Sequence, residues 1–355
     1  MLKNKKLWIA LLIIPMYILV KVVAKFPDTI EVVYSNGLYP FISKLFRYTL
    51  GWLPFSFGDF LYAFSIIFIL RWLILNVKRI WKDTVHWLID VFAAVSIIFI
   101  AFHLFWGFNY YRNPLHKNLN LEDDYTTEQL VTVTKNLIEK SNYIHLKITK
   151  NDSLKVDLPF TKSEILALTP KSYEALKTDF PHLEYHPKSL KKSLFSYPLT
   201  YMGFSGYLNP ITNEAQVDDM IPVYKFPTTA AHEVAHQLGY AKENEANFIG
   251  FLATISNDNI YFKYSGYTFG LRHCLGEVFR RDPDLYYKLL PTINIGIIKN
   301  YQEVRDFWND YKNPLEPIFR STYTSYLKAN NQAKGMDSYS YVVALLVNYL
   351  EDKIL

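Results

Sequence analysis

Three long apolar segments dominate the first hundred residues, and the pattern of apolar and polar positions changes sharply after them. The first segment runs from Leu7 to Ala24, the second from Phe55 to Val77, and the third from Val85 to Phe108. Each is long enough to cross, as an α-helix, a hydrocarbon core about 30 Å thick. The pattern therefore predicts three membrane spans in the N-terminal third of the chain.

Basic residues predict how these spans are oriented. They occur in the short N-terminal stretch before the first span and in the loop Lys78–Lys82 between the second and third spans. Short loops rich in Lys and Arg stay in the cytoplasm, so both stretches are placed there. We therefore predict a membrane anchor over residues 1–109, with the lipid bilayer as a partner, and an extracytoplasmic domain over residues 110–355.

Two charged residues fall inside the predicted spans. Arg71 lies shortly before the end of the second span and Asp90 shortly after the start of the third, so a helical hairpin brings them to a similar depth. Charges in hydrocarbon are costly and are usually paired, which predicts an ion pair between them. The alternative is that Arg71 extends to the cytoplasmic interface while Asp90 lies near the headgroups.

From Tyr110 onward the sequence is typical of a mainly helical soluble domain with a few short strands. Thr126–Gln129 has the form of a capping box ahead of apolar residues at helical spacing, and Thr169-Pro170 offers an N-cap and a first-turn proline. The apolar run Tyr341–Leu350 is too short for a span and is predicted to be a core helix. The remaining predicted elements are helices at 299–312, 316–329 and 337–353 and strands at Phe204–Leu208 and Glu214–Val217.

Charge and cysteine content exclude two classes of function. The formal net charge is +5, and no basic run is interleaved with aromatic residues, so nucleic acid is not predicted as a partner. The single cysteine, Cys274, excludes an internal disulfide and a cysteine-rich metal cluster. Neither property predicts an oligomeric state.

One short motif carries metal chemistry. The chain reads His-Glu-Val-Ala-His from His232 to His236. On a helix the two histidines lie one turn apart on one face and can bind one Zn²⁺, while Glu233 is placed to take a proton from a metal-activated water. Pro227 suits the start of such a helix and Gly239 its end. The sequence therefore predicts zinc as the cofactor, His232 and His236 as ligands, and Glu233 as the catalytic general base.

A third ligand is expected after the turn at Gly239, and the candidates are Glu243 and Glu245. Two residues apart on a helix, they point about 200° from each other, so only one faces the metal. Glu243 shares its face with Asn247, as in other His-His-Glu zinc peptidases. We predict Glu243 as the ligand and Asn247 as a support that does not bind the metal. The alternative exchanges the roles of Glu243 and Glu245.

Together these residues predict hydrolysis of peptide bonds in extracytoplasmic proteins or peptides, although the sequence does not identify the donor that stabilises the oxyanion. The stretch Gly206–Asp218 could bind an extended peptide as an added strand, or could be purely structural. Two alternatives differ in class: a structural or signalling zinc protein without turnover, and a hydrolase of a non-peptide amide of the cell envelope. Glu233 argues against the first, because a structural zinc site does not need a carboxylate there.

Several blocks of the sequence resemble the DUF3810 family of uncharacterised bacterial membrane proteins. The blocks are Trp106–Arg112, Gly206–Pro210 with Glu214-Ala215, His232–Asn247, and Tyr326–Ala329 with Gly335 and Tyr339. The resemblance implies three N-terminal transmembrane helices followed by a mainly α (α+β) zincin-like metallopeptidase domain, in the bacterial cytoplasmic membrane. It implies peptidase activity only at the level of the motif.

Overall fold

The computed structural model describes residues 2–332, 335, 341–351 and 353, with the side chains of residues 2–4 left out, and most of these residues are helical. The helices are Leu2–Leu11, Ile13–Val23, Pro27–Thr29, Ile30–Leu38, Tyr39–Leu50, Phe57–Asn76, Arg79–Lys82, Thr84–Phe105, Gly107–Tyr111, Leu115–Asn118, Thr127–Thr149, Lys162–Leu176, Pro181–Leu183, Ser196–Met202, Val223–Lys225, Phe226–Gln237, Glu243–Ser256, Ile260–Arg281, Pro283–Leu289, Leu290–Thr292, Ile295–Asp310, Glu316–Ala329 and Val342–Leu350. The strands are β1 (Leu190–Lys192), β2 (Gly206–Asn209) and β3 (Glu214–Val217).

Three helices are long and apolar enough to cross a membrane: Lys5–Val23, Phe57–Asn76 and Thr84–Phe105, here called the first, second and third spans. They confirm the three predicted apolar helices, with small shifts at their ends. The first span is interrupted at Leu12. Pro15 explains this break, because proline lacks the N–H that would bond to the carbonyl four residues earlier.

The predicted ion pair between Arg71 and Asp90 is wrong. Asp90 instead binds Lys6 of the first span, at 2.6 Å, and Arg79 of the loop after the second span, at 3.0 Å. The second and third spans make few close contacts along their length. Arg71 therefore stays exposed, whereas Lys6 and Arg79 approach Asp90 at the end of the spans that carries the basic loop.

A helical segment that was not among the predicted elements connects the first and second spans. It covers residues Pro27–Leu50 and is called here the interfacial segment. The Tyr39 hydroxyl donates a hydrogen bond to the Gln237 carbonyl at 2.8 Å, and the Ser43 hydroxyl donates to the Asn213 side chain at 2.8 Å. Both bonds are buried, so this segment is attached to the polar part of the chain as well as to the spans.

Local signals located one helix start correctly and misplaced another. The capping box of Thr126 and Gln129 is present and begins the helix Thr127–Thr149, as predicted. The helix start predicted at Thr169-Pro170 is wrong, because that helix already begins after Thr161, which forms a capping box with Glu164. The capping box satisfies the backbone N–H groups of Thr161 and Glu164, so the helix starts there and Pro170 lies in its interior.

The other predicted elements are largely confirmed. Helices lie at Ile295–Asp310, Glu316–Ala329 and Val342–Leu350, and the last is buried as a core helix. The beginning of the range 337–353 lies outside the described residues, as does Tyr339. Strand β3 has the predicted bounds and β2 is shifted by one to two residues, whereas β1 was not predicted.

The three strands form one small sheet in the order β1-β3-β2. Strand β1 is parallel to β3, and β2 is antiparallel to it, with Gly206 opposite Val217. The helix Phe226–Gln237 packs on this sheet, and on its other side against Glu243–Ser256. The largest apolar core then surrounds Glu243–Ser256, so the residues of the motif lie between the sheet and the core.

Candidate metal site

The histidine motif lies on a short, almost completely buried helix, Phe226–Gln237, called here the motif helix. It begins with Pro227 in its first turn, and the chain leaves it through Gly239, whose φ is +95°. This left-handed conformation suits glycine and ends the helix, as the sequence predicted. The motif helix therefore presents His232 and His236 on one face.

The helix that follows, Glu243–Ser256, is called here the ligand helix, and it packs closely against the motif helix. At the crossing lies Gly250, where an added Cβ would stand 3.0 Å from the backbone nitrogen of His232. The missing side chain allows the two backbones to approach. This close approach brings Glu243, the first residue of the ligand helix, to the two histidines.

Three potential ligand atoms converge. The Glu243 Oε2 atom lies 3.3 Å from His232 Nε2 and 3.5 Å from His236 Nε2, and ligand atoms of all three residues lie within 4.8 Å of one another. Around a tetrahedral zinc ion with bonds of about 2.0–2.2 Å, neighbouring ligand atoms stand roughly 3.4 Å apart. Glu243 Oε2 is also buried without a hydrogen-bond partner among the described residues. Two imidazole nitrogens and a carboxylate oxygen thus fit zinc in type and spacing.

Glu245 is not brought to this group. Its carboxylate accepts a hydrogen bond from the backbone N–H of Leu115 at 3.0 Å and lies 3.5 Å from the ammonium of Lys242. Asn247 lies beside His232: burial lowers the pKa of His232, and hydrogen bonding by Glu243 and Asn247 acts in the opposite direction. The structure therefore groups Glu243, and not Glu245, with the histidines and places Asn247 next to them.

His236 is held at its ring and at its backbone. Its Nδ1 atom lies 2.7 Å from the Tyr240 carbonyl, which can only accept, so Nδ1 carries a proton and Nε2 is the nitrogen that a metal would bind. The indole N–H of Trp106 donates to the His236 carbonyl at 3.0 Å. Trp106 follows directly after the third span. Sequence reasoning missed this contact, since a tryptophan at the end of a span is explained by the membrane interface alone.

A tyrosine that sequence reasoning also missed holds Glu243, the candidate third ligand. The Tyr323 hydroxyl donates to Glu243 Oε1 at 2.6 Å, leaving Oε2 directed at the histidines. Tyr323 lies on the helix Glu316–Ala329, called here the cover helix. In a chain with 28 tyrosines no local signal distinguishes this one, because its role depends on a contact across 80 residues.

The site lies inside a region that matches a known family. A family model described as a protein of unknown function, DUF3810, matches residues 34–347. The chain belongs to the DUF3810 family. No curated protein and no solved structure matches the chain. The match includes the second and third spans, the motif helix, the ligand helix and the cover helix.

In this DUF3810 protein the charges of the site are strongly coupled. Burial by itself would lower the pKa of His236, but the Glu243 carboxylate raises it to about 9. Burial would likewise raise the pKa of Glu243, yet the two histidines hold it well below its usual range. The group therefore contains a permanent carboxylate beside a strongly basic imidazole, an arrangement that attracts a cation once His236 gives up its proton.

Glu233 faces the opposite side of the motif helix from the core and meets strand β2. An added Cβ at Gly206 would stand 2.6 Å from Glu233 Oε1, while Glu233 Oε2 is buried without a hydrogen-bond partner among the described residues. Burial raises the pKa of Glu233 to about 8. A carboxylate of this kind, next to a group of three potential ligands, can accept and return a proton near neutral pH.

Proposed function

We propose that this protein is a membrane-anchored zinc metallopeptidase with a zincin-like catalytic domain. The observation that carries the proposal is the convergence of His232, His236 and Glu243 at the spacing of a tetrahedral zinc site, with Glu233 adjacent. The first two residues and Glu233 come from one H-E-x-x-H helix and Glu243 from the next. This is the arrangement of a His-His-Glu hydrolytic site.

Each residue has a separate part in the proposed reaction. His232, His236 and Glu243 would hold the zinc, which would supply a Lewis acid for the scissile carbonyl and for water. Glu233, buried beside these residues, would accept a proton from the attacking water and pass it to the leaving nitrogen. Strand β2 lies at the edge of the sheet beside Glu233, so an extended peptide pairing with it would pass the carboxylate.

The same proposal places the site outside the cytoplasm. The basic loop and the Lys6–Asp90–Arg79 cluster lie at one end of the spans, whereas Trp106 and the site lie at the other. The positive-inside rule then places the loop in the cytoplasm and the site on the outer face of a bacterial cytoplasmic membrane. Peptides or proteins of the cell envelope would be its substrates.

The full-length protein in lipid nanodiscs is the material for the test, because the domains have not been shown to fold separately. We expect one zinc per chain in wild type and in Glu233→Gln, and loss of zinc in His236→Ala. We expect cleavage of a mixed peptide library by wild type, and a rate about 10²- to 10⁴-fold lower for Glu233→Gln, the usual contribution of a general base. Metal content by elemental analysis and cleavage by mass spectrometry provide the two readouts.

The same measurements separate the competing functions. Zinc bound in wild type without Glu233-dependent peptide cleavage would favour a silent zinc-binding protein. Glu233-dependent hydrolysis of envelope amides, but not of peptides, would favour a non-peptide amidase. Absence of zinc in the wild type would contradict the proposal as a whole.

A further inference from the structure

The metal site is attached directly to the outer ends of the membrane spans. Trp106, which ends the third span, binds the backbone carbonyl of the ligand His236. Tyr207, next to the Gly206 that touches Glu233, stacks on Tyr62 of the second span with 6.2 Å between ring centroids. Tyr62 lies five residues inside a helix that begins at Phe57, about 7 Å below its end. The site therefore lies at the level of the membrane surface.

The second span is held to the sheet at this end. The Glu214 carboxylate of strand β3 accepts hydrogen bonds from the backbone N–H groups of Phe57 and Gly58, the first turn of the span, at 3.0 and 2.6 Å. Asp59 in the same turn is buried and accepts from the backbone N–H of Leu194 at 2.6 Å. The start of the second span is thus fixed relative to the motif helix.

The spans are not packed as a closed bundle. The first and third spans pack along one another, whereas the second makes few close contacts with either. Trp72 and Trp87 connect the second and third spans near the cytoplasmic loop, with ring centroids 5.9 Å apart. At the outer end each of these spans is bound to a different part of the site instead. Between these attachment points residues 66–71 of the second span are exposed in succession, on every side of the helix, so a gap toward the bilayer separates the second span from the third.

Aromatic side chains lie in a row beside the outer end of this gap, from the third span to the proposed ligand Glu243. Tyr326 of the cover helix lies 6.1 Å from Phe102 of the third span and 5.8 Å from Tyr323, centroid to centroid. Burial raises the pKa of Tyr326, and the neighbouring Tyr62 hydroxyl of the second span adds to the effect. Tyr323 in turn binds Glu243. Tyrosine rings are suited to the boundary between hydrocarbon and water.

We infer that the substrate is a polypeptide with its own membrane span, which reaches the site through the gap between the second and third spans and is cut just outside the membrane. The inference rests on the proposed peptidase function and specifies its substrate class. The row of side chains from Phe102 through Tyr326 and Tyr323 to Glu243 is roughly 15 Å long. An extended polypeptide covers this distance in about five residues. Cleavage is therefore confined to the first few residues beyond the span.

Burial of the site fits this substrate better than a soluble folded protein. Glu233 is 4 % exposed, and the ligands His236 and Glu243 are 6 % and 3 % exposed. Only a thin, extended segment can reach such groups. A chain that is already anchored beside the gap reaches them without first crossing a folded surface.

The test uses the full-length protein reconstituted with two forms of one peptide library, each fused to a 20-residue Leu/Ala span. In one form the library sequence begins directly at the end of the span, and in the other a 20-residue Gly/Ser spacer separates them. Both forms have the same tether to the bilayer, so the comparison measures position rather than local concentration. A third form is the free library.

We expect the directly joined form to be cut at least tenfold faster than the spacer form, within about five residues of the span. Equal rates for the directly joined, spacer and free forms would overturn the inference and leave the peptidase proposal standing. Zinc binding without cleavage of any form would overturn both.

A pair of variants tests the access path itself. Tyr62→Ala should reduce the preference for the joined form, whereas Phe64→Ala, on a lipid-exposed position of the same span, should not. If Tyr62→Ala still cut the directly joined form faster than the spacer form by the wild-type ratio, the access path would lie elsewhere.

Discussion

At the scale of single residues, the choice between two glutamates is the clearest test of the site. Glu243 Oε2 points at both histidines, whereas Glu245 binds the Leu115 backbone. We predict that Glu243→Gln weakens zinc binding by more than the roughly 10- to 100-fold that loss of an outer hydrogen-bond partner costs. Glu245→Gln is the matched control, because its amide oxygen can still accept from Leu115. Competition with a chromophoric chelator measures both, and equal losses would contradict the assignment of Glu243.

The protonation of His236 predicts how zinc binding depends on pH. Burial lowers its pKa but the Glu243 carboxylate raises it to about 9, so at pH 7 the imidazole carries a proton that zinc must displace. His232, with its lowered pKa, is already neutral there. Zinc affinity should therefore rise by close to tenfold, the limit for release of one proton, from pH 7 to pH 8, and level off above pH 9. A flat profile over this range, in the same chelator assay, would contradict the displacement of a proton from His236 by zinc.

At the scale of elements, the packing of the motif helix against the ligand helix determines the site geometry. A Cβ at Gly250 would lie 3.0 Å from His232 nitrogen and 3.1 Å from its Cα, so Gly250→Ala must move the helices apart by a few tenths of an ångström. We predict a lower melting temperature and weaker zinc binding. Gly276→Ala provides the control, since a Cβ at this helical position meets nothing within 4 Å. It should raise stability by about 0.5–1 kcal/mol, as alanine does in helices. Unchanged zinc binding in Gly250→Ala would contradict this account.

At the scale of the whole molecule, the spans and the polar part of the chain depend on one another. The interfacial segment buries Tyr39 and Ser43 against the carbonyl of Gln237, and Glu31 of the same segment forms a buried ion pair with Arg112. Arg112 also donates to the carbonyl of Gly239, at the end of the motif helix. These contacts lie within a few residues of His236, the proposed ligand.

We therefore predict that a fragment of residues 110–355 alone binds zinc poorly. Removing the interfacial segment leaves Arg112 without Glu31, and an uncompensated buried charge typically costs about 3–5 kcal/mol. Co-expression of residues 1–109 as a separate chain should restore zinc binding, which elemental analysis of the purified fragment detects. A soluble fragment that binds one zinc by itself would show that the predicted domain boundary at residue 110 is also a folding boundary.

Local patterns predicted several features that depend on near neighbours in the chain. Apolar runs located the three spans because length and hydrophobicity alone meet the demands of a bilayer. Helical spacing placed His232, Glu233 and His236 on one helix, and the turn at Gly239 followed from the conformational freedom of glycine. The preference for Glu243 over Glu245 came from the same geometry, and the structure groups Glu243 with the histidines.

Contacts between distant parts of the chain were decided only by the tertiary structure. The partners of Asp90, the role of Tyr323, and the attachment of Trp106 to His236 involve groups 11 to 130 residues apart, and no periodicity encodes such pairs. The helix start at Thr161 is different, because the capping box of Thr161 and Glu164 is a local signal that the proline at Pro170 led the prediction to overlook. The sequence by itself therefore determined the three apolar helices and the H-E-x-x-H motif. Folding determined that the group of His232, His236 and Glu243 lies next to the ends of the apolar helices, because that position depends on how helix ends, sheet and cover helix pack together.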